Sequence, residues 1–105
     1  MKRIFFTLTG TNHYYGTDFL ERGTKLKLRK EPDNEHDKEA IRVEIKGLGK
    51  IGYVANSTYT VIGDSYSAGR LYDRIGDTAG GTVKYVLDRG IVCRLHNSSV
   101  VRDYD

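Results

Sequence analysis

In the stretch "TKLKLRKE", residues 24–31, Leu26 and Leu28 alternate with Lys25, Lys27 and Arg29. Side chains on a strand point to opposite faces in turn, so this period of two sets an apolar face on a core and a charged face in water. A chain held to that pattern cannot be a bundle of long helices. The pattern recurs with Ile4, Phe6 and Leu8 in residues 3–11, and with Ile41, Val43 and Ile45 in "AIRVEIKG". "GLGK" then turns into a fourth strand, "IGYV", and "DRG" joins "GTVKYVLD" to "IVCRLH" as a terminal hairpin. Twelve glycines and eight tyrosines suit many turns and aromatic-rich strands. After the fourth strand, Asn56 or Ser57 can cap a short helix, and Ser67 a second one running through "AGRLYDRI". The expected fold is mainly β: one domain over residues 1–105, built as a small six-stranded barrel with a short helical insertion. OB-like and SH3-like barrels both satisfy the pattern. "NSSVVRDYD" receives no element.

Charge narrows the partners. Seventeen Lys and Arg stand against fourteen Asp and Glu, and the whole surplus of three falls in residues 1–52. An anion-binding face is therefore expected from the first half of the chain. Lys25, Lys27 and Arg29 form a basic row on the solvent face of their strand, suited to a nucleic-acid backbone or to a solvated face set across strands against Arg42 or Glu44. Immediately after it comes "EPDNEHDKEAIRV", with five carboxylates, an Asn and a His around the only proline. Pro32 cannot donate to a ladder and Asp33-Asn34 favours a turn, so the strand stops there. Asp33, Asn34 and Asp37 either satisfy the turn's own backbone N–H groups or face a ligand. Of the adjacent Tyr14 and Tyr15, one is expected to face a ligand and the other to pack on the barrel. Ser67 to Arg70 opens a helix whose free N–H groups suit a phosphate, although an ordinary N-cap explains them more simply.

A single cysteine, Cys93, excludes an internal disulfide and suits a reducing compartment. No apolar run is long enough for a signal peptide or a membrane span, so a cytoplasmic protein without membrane contact is expected. Cys93 and His96 lie three apart on one strand and so point to opposite faces, which rules out a shared zinc ion. The acidic turn has no second cluster to complete a two-metal centre. Neither a cofactor nor catalysis is expected.

The succession of Gly10, "HYYG", "RGTKLKLRKEPDNEHDKEAIRV" and "GKIGYV" resembles the HIRAN domain family. The core of that pattern is Pro-x-Asn-x-x-Asp-x-x-Ala-Ile-x-Val, present here from Pro32 to Val43, and the agreement runs from Phe6 to Val54. The resemblance implies an OB-like β-barrel of the stand-alone bacterial or phage kind. It also implies binding of single-stranded DNA at a free 3′ end, with loop aromatics on the terminal base and a carboxylate on the terminal hydroxyl. Carried over by motif, the first loop supplies Asn12 and His13, with Tyr14 beside them. The second loop supplies Asp33, Asn34, His36 and Asp37, and the following strand Tyr53 and Asn56. Asn12 replaces an arginine of the family pattern, His13 and His36 replace tyrosines, and Asn56 replaces a lysine. The expected function is thus non-catalytic nucleic-acid binding, with single-stranded DNA or DNA 3′ ends as partner and a DNA-processing protein as a second. A protein-interaction module without DNA, favoured by Asn12 and Asn56, and a metal-dependent nuclease using Asp33 and Asp37 are the alternatives.

Overall fold

The computed structural model describes residues 3–102. Six strands form: β1 (Phe5–Thr9), β2 (Lys25–Lys30), β3 (Ile41–Ile45), β4 (Gly49–Val54), β5 (Thr78–Leu87) and β6 (Gly90–Leu95). They close a barrel in the order β1-β4-β3-β2-β5-β6, every neighbouring pair antiparallel. The expected small OB-like barrel is what the chain forms. Its interior is filled by the alternating residues, Phe6 and Leu8, Leu28, Ile41 and Val43, Ile51, Val83, Ile91 and Leu95, all fully buried. Each such side chain contributes roughly 1.5–3 kcal/mol through removal from water.

The ring is narrowest where β1 meets β4, with only Leu8 opposite Val54 and Thr9 opposite Tyr53. Below that seam the segment 55–67 takes the place of a neighbour. Ala55 N donates to Thr7 O at 2.8 Å and Tyr66 N to Phe5 O at 2.6 Å. The same segment covers Thr7, which strand alternation would leave in water. Thr7 Oγ1 lies 2.8 Å from Ser65 Oγ and accepts from Ile62 N at 3.0 Å, so its burial leaves no hydroxyl unpaired.

Between β4 and β5 one helix forms rather than two. Helix α1 (Ala68–Tyr72) is capped by Ser67, whose hydroxyl accepts from Arg70 N. It stops short of the expected "AGRLYDRI" span. The helix expected from Asn56 or Ser57 is absent. Ser57 Oγ instead accepts from Tyr59 N in a turn, and the β-branched run Thr60, Val61, Ile62 is broken by Gly63 at φ 55°. In the tail left without an element, the described residues hold one 3₁₀ turn, Asn97–Ser99, and residues 103–105 lie outside the described residues. Among the described residues no helix is long and apolar enough to cross a membrane.

Candidate nucleic-acid interface

The acidic turn between β2 and β3 builds itself. Its neck is closed by Glu31 N donating to Ala40 O at 2.8 Å. Inside, the Asn34 carbonyl accepts from His36 N at 2.9 Å and Asp37 N at 3.0 Å, while its amide group donates to Glu31 Oε1 at 2.9 Å. Asp37 Oδ1 accepts from Glu39 N at 2.9 Å. Asn34 is therefore largely consumed by the turn, as an Asx residue would be. Asp37 keeps lone pairs on a half-buried carboxylate.

A β-bulge supplies the opposite wall. Val43 faces Gly52, yet the next residue, Glu44, faces Lys50, so Ile51 is an extra residue on β4. Ile51 and Gly52 both turn inward, and Lys50 and Tyr53 consequently share the outer face. Lys50 Nζ donates to Tyr53 Oη at 2.9 Å, and Tyr53 in turn donates to Glu31 Oε1 at 2.8 Å. Arg42 and Lys50 flank the same carboxylate at 3.7 and 3.8 Å. Burial pushes the Glu31 acid up, but the bonds from Asn34 and Tyr53 and the charges of Lys50 and Arg42 outweigh it and hold the group below the usual range. Hydrogen bonding to Tyr53 holds Lys50 above its ordinary value.

The third wall comes from the loop after β1. Gly10 adopts φ 76°, a left-handed turn that a side chain would resist, and opens the 3₁₀ turn Thr11–His13. Tyr14 follows, its ring 6.5 Å from that of Tyr53 and tilted by 51°. Lys50 lies 5.3 Å from the Tyr14 ring centre and 5.0 Å from that of Tyr53. The fourth wall is Asn56, whose amide donates to Asp37 Oδ2 at 2.9 Å and whose carbonyl accepts from Gly69 N at 2.9 Å. The result is a cleft of about 510 Å³.

Six residues singled out from the sequence, Tyr14, Asn34, His36, Asp37, Tyr53 and Asn56, line this one cleft. Others do not. Asn12 and His13 line a separate cleft of about 440 Å³ beside Arg89, and Asp33 is exposed outside both. Arg29 is held 3.5 Å from Glu44, which also binds Arg42 at 2.6 Å, so the basic row is partly neutralised across strands. Lys25 and Lys27 stay exposed without ion pairs to described residues. Tyr15 does not pack on the barrel as expected: it is 56% exposed, edge-on to Phe19. The N–H groups opening α1 go to Ala55, Asn56 and Ser67, which leaves an N-cap and no phosphate cradle. Cys93 faces the core, while His96 Nε2 meets Thr82 Oγ1 at 2.8 Å on the outside.

Glu31 and Lys50 organise the cleft and were not among the expected site residues. Strict alternation puts Lys50 and Tyr53 on opposite faces, and only the bulge brings them together.

The family model of the HIRAN domain matches residues 1–96 of the chain. The chain belongs to the HIRAN domain family. The match reaches past Val54 to the end of β6, so the whole HIRAN barrel is covered, not only its first half. HIRAN domains are in general non-catalytic DNA-binding domains. No curated protein and no solved structure matches the chain. Among the described residues of this HIRAN domain, no three His, Cys, Asp or Glu side chains are grouped to hold a metal ion.

Proposed function

We propose that this HIRAN domain binds single-stranded DNA by a free 3′-hydroxyl end and performs no chemistry on it. The observation that carries this is the convergence of Tyr14, His36 and Tyr53 around the Asp37 carboxylate in one cleft. Tyr53 has its hydroxyl tied to Lys50 and Glu31, so its ring is the part offered to a base. Asp37 has one protein hydrogen bond on each oxygen and accepts a further one from a hydroxyl. A terminal phosphate meets the same carboxylate as a like charge and is rejected. Asn34 holds the turn and has one amide proton left for the terminus. Asn12 and His13 stand at the loop beside this cleft, and Lys25, Lys27 and Arg29 attract the polyanion at longer range. A cytoplasmic setting belongs to the same reading and is supported by the lone, buried Cys93 thiol.

Anisotropy titrations with labelled single strands that differ only in a 3′-hydroxyl or 3′-phosphate test the assignment. The hydroxyl form is expected to bind at least about tenfold tighter, the scale of one hydrogen bond to a charged group. Asp37→Ala is expected to remove that preference while the protein still melts cooperatively, at a somewhat lower temperature because two hydrogen bonds are lost. Equal affinity of wild type for both ends, or no binding of either, would overturn it.

A further inference from the structure

Three clefts adjoin one another around the 55–67 segment. The Asp37 cleft shares Asn56 and Ser57 with a second, of about 380 Å³. That one shares Asp64, Ser65 and Arg70 with a third, of about 760 Å³. The third is lined by two arginines, Arg3 and Arg70, and three aromatic residues, Phe5, Tyr66 and Tyr85, against the one carboxylate of Asp64. Cations interleaved with aromatic rings are what a single strand's backbone and bases bind.

Two features fix this trough to the end cleft. The Arg70 guanidinium lies 4.0 Å from the centre of the buried Tyr66 ring, which holds it over the groove. Arg70 also follows directly on Gly69, whose N–H is bonded to the same Asn56 amide that holds Asp37. Tyr85, at 53% exposure, presents its ring to solvent at the far wall. By contrast, the cleft of Asn12, His13 and Arg89 shares no lining residue with the Asp37 cleft.

We infer that the body of a bound DNA strand, behind its 3′ end, follows this trough, with Arg70 and Arg3 against its phosphates and Tyr85 against a base. The inference rests on the end-binding reading and gives the rest of the strand its path. Phosphates repelled by Asp37 are led toward Arg70, the cation that lines both adjoining clefts.

The test compares a trinucleotide and a ten-nucleotide single strand, each with a 3′-hydroxyl and the longer one also with a 3′-phosphate, on wild type, Arg70→Gln, Tyr85→Ser and Asp37→Ala. Melting curves accompany each variant. Arg70→Gln and Tyr85→Ser are expected to weaken the longer strand at least about fivefold and to leave the trinucleotide unchanged. Arg70→Gln is also expected to reduce the salt slope by about 0.7, one phosphate on a single strand. Asp37→Ala weakens both lengths. If the longer strand gains nothing over the trinucleotide, or both trough variants bind it like wild type, the path is wrong and end recognition stands. If both variants weaken the two lengths equally, the path is also wrong, because the effect then lies in the end cleft. Arg70-dependent binding of the longer strand that ignores hydroxyl against phosphate keeps the trough and rejects end recognition.

Discussion

Glu31 is the residue on which the cleft depends without lining it. Its carboxylate, 17% exposed, gathers Tyr53, Asn34, Lys50 and Arg42 from the turn and two strands. Because the folded state holds this acid below 4.5, its contribution is present above that value and is lost as the pH falls through the folded titration. Glu31→Gln is expected to cost about 1–2 kcal/mol at neutral pH, the scale of a charged hydrogen bond weakened to a neutral one. The gap between wild-type and variant melting temperatures should then close as the buffer is taken from pH 5 toward pH ~3. A gap that stays constant through that range would show that the charge of Glu31 plays no part. The variant should also weaken DNA binding, since the hydrogen bond that fixes the Tyr53 ring is weakened.

At the scale of elements, the bulge in β4 and the seam with β1 decide the geometry together. A Cβ on Gly52 would sit 2.6 Å from Thr9 O and 2.9 Å from Leu8 Cδ1. The first contact is with backbone at the narrowest pairing of the ring, which has little room to give. Gly52→Ala should therefore destabilise the protein by about 2–3 kcal/mol, as overpacking does, read from chemical denaturation. A variant as stable as wild type would mean that the seam opens at little cost. The same elements mark the limit of what the sequence discloses. Leu26, Leu28, Ile41 and Val43 announce their strands because burial on one face leaves a period of two. The acidic turn is legible because Pro32, Asn34 and Asp37 act within a few residues of one another. The partnership of Lys50 with Tyr53 is not legible, because the bulge that creates it is set by the register against β3. Nor is the absent helix at Asn56, whose amide is committed to Asp37 and Gly69, partners 19 and 13 residues away. The family motif places Asn12 and His13 in the first loop beside Tyr14, and the 3₁₀ turn sends them to a different cleft.

For the whole molecule, closure by β1 against β6 couples the first strand of the ring to the last. Such non-local pairing is expected to slow folding to the millisecond-to-second range of small barrels. Cys93 sits on that closing strand, fully buried, its thiol pushed up to about 12 by burial. Alkylating reagents at pH ~8 should leave it unmodified in the native protein and label it only as the barrel opens. Mass spectrometry of timed quenches reads this directly, and rapid labelling under native conditions would show that the ring breathes at β6. The closing pair has one more consequence. Phe5 lies opposite Arg94, so the polypeptide enters and leaves the barrel side by side. A unit wired in that way can be set into a surface loop of a larger enzyme without prising the host's loop ends apart.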